Sequence, residues 1–277
     1  MALDGTFDDT QSIVKELFAD AAFASKVSLT AVNSINFARI MAQCVYYFTA
    51  SLALGHGQKV SFVVPTGNFG DVFAGEAASR MGLPTGRLVV ATNANDILVR
   101  ALGTGVYSSE FAQATLSPSM DIQVASNFER ALFEASGRND IWVSKAMQAF
   151  AQTRRLEIPA DVHGKLSERY VAGAANDQET LSTIAQVYRE YGIILDPHTA
   201  VGMAVAEKLA LPASEPLVFL ATAHPAKFPD AVARATGVRP ELPPQLSDLL
   251  AREERCTRLA NSVSAVREFI CRSTGAL

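Results

Sequence analysis

The 277-residue sequence is short of cysteine, of clustered basic charge and of long apolar runs. Its three cysteines, Cys44, Cys256 and Cys271, are widely spaced, odd in number and form no CxxC pair. Neither a disulfide framework nor a zinc site is therefore indicated, and reduced, mostly buried thiols are expected. No basic stripe interleaved with aromatics occurs, and the net charge is only -4, which argues against a nucleic-acid partner. No apolar run reaches membrane-spanning length. The first residues lack the basic region and apolar core of a signal peptide, and Asp4, Asp8 and Asp9 argue against a transit peptide. A cytoplasmic protein is expected, without a membrane or metal role. What is present supports this, since apolar residues make up 49% and charged residues 19%, the balance of an ordinary globular chain of one large or two modest domains.

Hydrophobic spacing predicts a helix over 11–18 and another from Ile35 to about Leu54, stopped at Gly55 and Gly57. The second has few polar positions, so it is expected to be largely buried. Val60-Ser61-Phe62-Val63-Val64 is a short, nearly continuous apolar run rich in β-branched residues, as in a central strand of a parallel sheet. Pro65 to Gly70 ends it, a helix follows over 71–81, and a second strand over 87–91 completes a β-loop-α-β unit. Further helices are predicted over 96–102, 126–135, 141–153, 179–191 and 199–210, a short strand over 217–221, and a helix over 229–236. Pro240, Pro243 and Pro244 mark a linker, with a surface helix or two over 247–273. No internal repeat or low-complexity tract is present.

The loop Pro65-Thr66-Gly67-Asn68-Phe69-Gly70-Asp71 lies between a buried strand and a helix. Such a turn aims several backbone N–H groups at one point, at the positive end of the helix dipole, which suits a phosphate. Gly67 and Gly70 permit close approach of an anion, and Asn68 can donate from its amide. Neither GxxxxGK[ST] nor GxGxxG with a following acidic residue is present. Taken alone the glycines also read as a tight turn. Thr222 follows the 217–221 strand, and ligands of open parallel sheets sit beyond the carboxyl ends of strands, where both loops would lie. Its hydroxyl can meet a heterocyclic nitrogen, or serve as an ST-turn or N-cap. Asn33, Ser34, Asn36 and Arg39 at the head of the second helix read either as an anion subsite or as a cap followed by a surface arginine. Asn93, Asn95 and Asp96 read either as cofactor-side loop residues or as a plain helix cap, and the cap is the favoured expectation.

Five segments, 31–40, 64–71, 91–96, 115–122 and 222–228, together resemble threonine synthase, in order from Gly5 to about Gly237. The resemblance implies a partial fold-type II pyridoxal-phosphate enzyme, tryptophan synthase β-like, an α/β fold with a parallel sheet flanked by helices. It implies pyridoxal 5'-phosphate as cofactor and conversion of O-phospho-L-homoserine and water into L-threonine and phosphate. On that likeness Gly67, Asn68, Phe69, Gly70 and Asp71 hold the cofactor phosphate, Thr222 meets the pyridine nitrogen, and Asn33, Ser34, Asn36 and Arg39 bind the substrate phosphate. The implied division is 1–57 as the remainder of a smaller domain with the phosphate-binding helix, 58–238 as the cofactor domain and 239–277 as a helical extension.

The family's Schiff-base lysine, in a Ser-Phe-Lys-Asp type segment, has no counterpart here. Lys59 and Lys227 do not match it, so no catalytic residue is assigned. The expectation is a C-terminal portion, inactive by itself: a fragment, or half of a split enzyme whose partner is a separate N-terminal half. The rival expectations are a related pyridoxal-phosphate lyase and a non-catalytic paralogue that keeps the cradle.

Overall fold

The fold is seen in a computed structural model that describes residues 1–5, 7–33, 35–54, 57–209, 211 and 214–275. Ser34 and Gly55 lie outside the described residues. In chain order the elements are β1 (Ala2–Leu3), α1 (Phe7–Ala19), α2 (Ala21–Lys26), α3 (Phe37–Leu54), β2 (Val60–Pro65), α4 (Gly70–Arg80), β3 (Thr85–Thr92), α5 (Ile97–Thr104), β4 (Val106–Ser108) and α6 (Phe128–Ala135). They continue through α7 (Asp140–Thr153), β5 (Arg155–Glu157), α8 (Ala160–Arg169), β6 (Tyr170–Ala174), α9 (Asp177–Tyr191), α10 (Pro197–Lys208), β7 (Leu217–Phe219), α11 (Pro229–Thr236), β8 (Arg258–Leu259) and α12 (Val263–Thr274).

Two compact units result, Met1–Val32 with Pro244–Leu277, and Asn33–Pro243. In the smaller, β1 pairs parallel with β8, and Ile13, Leu17, Phe23 and Val266 form a core. Arg267 there reaches Asp20 Oδ2 at 2.6 Å across the Phe23 ring. Of the one or two surface helices expected over 247–273, α12 forms, with Ser262 capping it by accepting from Ala265 N–H, and the chain before it is spent on short turns and β8.

The larger unit is built on a parallel sheet of order β6-β3-β2-β7. All six residues of β2 are buried, as its nearly continuous apolar run requires of a strand covered on both faces. Side-chain alternation then sorts the sheet into two cores. Phe62, Val64, Leu88 and Val90 join α3, α4, α5 and α6 on one face. Val63, Val89 and Ala91 meet Val201, Ala204 and Val205 of α10 on the other.

Helix α3 departs from its expected burial. Ile40, Cys44 and Tyr47 are buried, but Phe37, Met41, Val45 and Leu52 are exposed, since within the unit the helix packs along one stripe against α4. The thiols differ too: Cys44 is buried, Cys256 exposed and Cys271 half-buried.

Tyr47 anchors the α3–α4 contact. It is fully buried, donates to the Asp71 carbonyl at 2.9 Å, and lies so close to Gly75 that a Cβ there would be 2.7 Å from its ring. Alanine in a helix is intrinsically better than glycine by roughly 0.5–1 kcal/mol, whereas overpacking a pinned core costs roughly 1–3 kcal/mol. The clash wins. Gly75→Ala is expected to lower unfolding free energy by about 1–2 kcal/mol in urea titrations; unchanged or higher stability would show that Tyr47 yields.

Candidate functional site

Chain order across the sheet runs outward from β2 through β3 to β6 and then returns to place β7 on β2's other side. The order therefore reverses between β2 and β7, and the crevice beyond the carboxyl ends of such a pair is where open α/β sheets take ligands. The loops after β2 and β7 carry Gly67–Asp71 and Thr222. Their neighbourhood is maintained by Leu220 N–H, which donates to Val63 O at 3.0 Å.

The loop after β2 is anchored by Thr66, whose N–H donates to Ala91 O at 2.7 Å and whose hydroxyl donates to Val64 O at 2.6 Å. Phe69 then adopts φ 65°, ψ 3°, a left-handed conformation unusual for a bulky residue, and α4 begins at Gly70. Among the described residues no acceptor takes the N–H groups of Gly67, Asn68, Phe69, Gly70 or Asp71. Gly67 is required by space, for a Cβ there would stand 2.4 Å from Ser119 O. Ser119 is itself seated by its N–H on His198 Nε2 at 3.3 Å, while His198 Nδ1 pairs with Asp196 Oδ1 at 3.0 Å.

Asn93 and Asn95 hold the same backing loop, and this corrects their expected capping role. Buried Asn93 Nδ2 donates to Thr115 Oγ1, Ser117 Oγ and Asp121 Oδ1 at 2.8, 3.0 and 2.7 Å. Asn95 Nδ2 reaches Gln113 O at 2.9 Å and Asp121 Oδ1 at 3.1 Å. Asp96 occupies the N-cap position of α5 but makes no side-chain cap bond, and pairs with Arg100 at 2.9 Å.

Thr222 is exposed, and its hydroxyl makes no hydrogen bond among the described residues. The cap of the following turn belongs to His224, which accepts from Ala226 N–H at 3.1 Å. At the head of α3, Asn33 Oδ1 accepts from Ile35 N–H at 3.3 Å and Asn36 Oδ1 from Ala38 N–H at 3.0 Å. The helix thus starts two residues later than its spacing predicts, with Asn36 rather than Asn33 in the capping place. Arg39 is exposed on its first turn, and the Ser34 assignment lies outside the described residues. Lys59 precedes β2, at the strand end opposite the loop and about 20 Å of strand away. Lys227 is exposed over the Phe228 ring, 5.8 Å from its centre.

Two groups of residues at the site had escaped the sequence reading. Asn127 N–H and Nδ2 both donate to Asn68 O, at 3.0 and 3.1 Å, and Arg130 links Asn127 Oδ1 (2.9 Å) to Ile35 O (3.0 Å). Tyr46 and Tyr47 donate to Asp71 Oδ1 at 2.5 and 3.3 Å. The only sequence signal for the tyrosines was their place on one turn of the helix preceding the loop.

Burial raises the Asp71 carboxyl from 3.8 to about 6, with the Tyr46 and Tyr47 hydroxyls holding it back from a larger rise. Burial, then the Asp71 charge, raises both tyrosines in turn. The folded chain thus binds the Asp71 proton more tightly than the unfolded chain. Its contribution to stability is fully present below pH 3.8 and is lost as pH rises through about 6, at most about 3 kcal/mol. Asp71→Asn is expected to gain stability relative to the parent between pH 4 and 7 in paired urea titrations; a difference independent of pH would contradict the burial account.

A parallel sheet with helices on both faces and an anion cradle at its switch point is the plan of the fold-type II pyridoxal-phosphate enzymes. The comparisons narrow the class. Residues 199–270 match the family described as threonine synthase, C-terminal. Over 272 residues the chain is 49% identical to threonine synthase of Pseudomonas aeruginosa, covering 98% of this chain and 58% of that protein. The crystal structure of PLP-bound threonine synthase from Brucella melitensis superposes with a TM-score of 0.90 at 49% identity, covering 98% of this chain and 59% of that one. Yeast threonine synthase gives 0.85 at 36% identity, covering 100% and 59%. The chain is thus similar to one portion of the threonine synthases, and it spans 58% of the length of the curated relative from Pseudomonas aeruginosa.

Proposed function

We propose that this chain supplies the cofactor-phosphate and substrate-phosphate subsites of a threonine synthase, a pyridoxal-phosphate-dependent lyase converting O-phospho-L-homoserine and water to L-threonine and phosphate. The observation that carries this reading is the row of N–H groups from Gly67 to Asp71 with no acceptor among the described residues, at the amino end of α4, where Gly67 leaves no room for a side chain. A phosphate would satisfy those donors and be favoured by the helix dipole. The fit is not spoiled by Asp71, because its carboxylate is engaged by Tyr46 and Tyr47.

In this reading Gly67, Asn68, Phe69, Gly70 and Asp71 hold the cofactor phosphate, and Thr222 offers its hydroxyl to the pyridine nitrogen. A neutral partner leaves that nitrogen less firmly protonated than a carboxylate would. When bound, the cofactor supplies the electron sink for loss of the γ-phosphate. Asn33, Ser34, Asn36 and Arg39 hold the substrate phosphate, with the Arg39 guanidinium matched to an oxyanion. Residues 58–238 serve as the cofactor domain, 1–57 as the end of the smaller domain, and 239–277 as an extension. Neither Lys59 nor Lys227 matches the family's lysine that holds the cofactor and moves protons at the α and β carbons. In this reading the lysine belongs to the N-terminal part that completes the site, carried either on a longer polypeptide or by a separate half, and these 277 residues alone are inactive.

Mixing the chain with a separately expressed N-terminal half and assaying phosphate release from O-phospho-L-homoserine tests this. Activity is expected only with both halves, and absence of both activity and association would remove the two-chain reading. In the active mixture Arg39→Ala should raise KM about 10- to 100-fold, the loss of a charge-assisted contact, with kcat much less changed. An unchanged KM would exclude Arg39 from the phosphate subsite.

A further inference from the structure

The two phosphate subsites of that reading are joined by a side-chain relay that belongs to neither. Asn68 turns its carbonyl away from the cradle toward the start of α6, where Asn127 donates to it from both its backbone N–H and Nδ2. Asn127 is 1% exposed and holds the N-cap position of α6, yet makes no side-chain cap bond. Capping therefore does not account for an asparagine there. Its Oδ1 instead receives Arg130 Nε, and the other arm of the same guanidinium reaches Ile35 O, between Asn33 and Arg39, while the group lies 5.6 Å over the Phe37 ring.

Peptide planarity gives the relay its consequence. The Asn68–Phe69 peptide is trans, so fixing the Asn68 carbonyl toward Asn127 fixes the Phe69 N–H in the opposite direction. That N–H is one of the cradle donors without an acceptor among the described residues. Phe69 is also left-handed, a conformation that persists only where the surroundings over-determine it. Arg130 carries the hold across to the segment beside α3, with two arms of one planar fork spanning two acceptors on different parts of the chain.

On these contacts, and resting on the proposed function, we infer that Asn127 and Arg130 are positioning residues for phosphate recognition: Asn127 aims the cofactor-phosphate cradle, and Arg130 ties it to the substrate-phosphate segment. They touch neither ligand. Their effect is confined to the phosphate ends of the ligands, and it separates them from residues that merely stabilise the fold.

The test compares each phosphorylated ligand with its dephosphorylated partner on the intact chain by calorimetry: pyridoxal 5'-phosphate against pyridoxal, then O-phospho-L-homoserine against L-homoserine with pyridoxal 5'-phosphate present. Asn127→Asp keeps the acceptor for Arg130 but removes the Nδ2 donor. It is expected to lower the preference for pyridoxal 5'-phosphate over pyridoxal about tenfold, the scale of one lost hydrogen bond, and to leave pyridoxal affinity unchanged. Arg130→Lys keeps the charge but not the fork, and should lower both preferences. Equal losses for phosphorylated and dephosphorylated ligands, or preferences equal to the parent, would overturn the assignment. A parent chain with no preference for pyridoxal 5'-phosphate over pyridoxal would overturn the cradle reading, and the assignment with it.

Discussion

At the turn from β2 into α4, Phe69 occupies backbone space that ordinarily belongs to glycine, at a cost of order 1–3 kcal/mol. The rest of the larger unit is arranged so that this turn persists. The Phe69 ring is 1% exposed, with Phe128 and Tyr170 packed against it at 5.3 and 5.2 Å between ring centres. Removing such a ring from a core forfeits roughly 3–5 kcal/mol, more than the strain it offsets. Burial of the side chain therefore outweighs the unfavourable backbone, and the donors of the turn are left facing outward from the protein's own hydrogen bonding.

Helix α4 is held in register by polar contacts that the same core makes expensive to lose. Near its start Asp71 meets Tyr46 and Tyr47. A turn later, buried Glu76 accepts from the Tyr170 hydroxyl and pairs with Arg80 at 3.0 Å. Tyr170 thus serves twice, with its ring against Phe69 and its hydroxyl on Glu76. The backing loop is a second layer of the same kind, with Asp121 gathering Asn93, Asn95 and Thr115, and His198 seating the Ser119 amide behind Gly67. Partly satisfied networks of this kind would be costly in a low-dielectric interior; satisfied ones rigidify it.

Much of this was readable from local pattern. The apolar run of β2 required burial on both faces, the glycines after it required a turn, and the spacing of motifs from Gly5 to Gly237 carried the family likeness. Readings failed where a residue's role depended on a partner distant in sequence. The exposed stripe of α3 was hidden because hydropathy reports what can be buried, not what covers it. Asn93 and Asn95 look like cap residues to any local rule, and only the approach of the 113–121 loop makes them a clamp. Asn127 is ambiguous for the same reason, since an asparagine before a helix carries the same letters whether it caps or reaches 59 residues back to Asn68.

By itself, then, the sequence determined the strand-turn-helix from β2 into α4, because backbone sterics and hydrophobic period act within a few residues. It also carried the family likeness, because motifs in order survive without coordinates. Only the tertiary structure decided that β7 returns to β2's free side, that Asp71 is buried against two tyrosines, and that Asn127 and Arg130 link the loop after β2 to the head of α3. Strand order, burial and hydrogen bonds between distant segments exist only once the core closes, and no short window of residues encodes them.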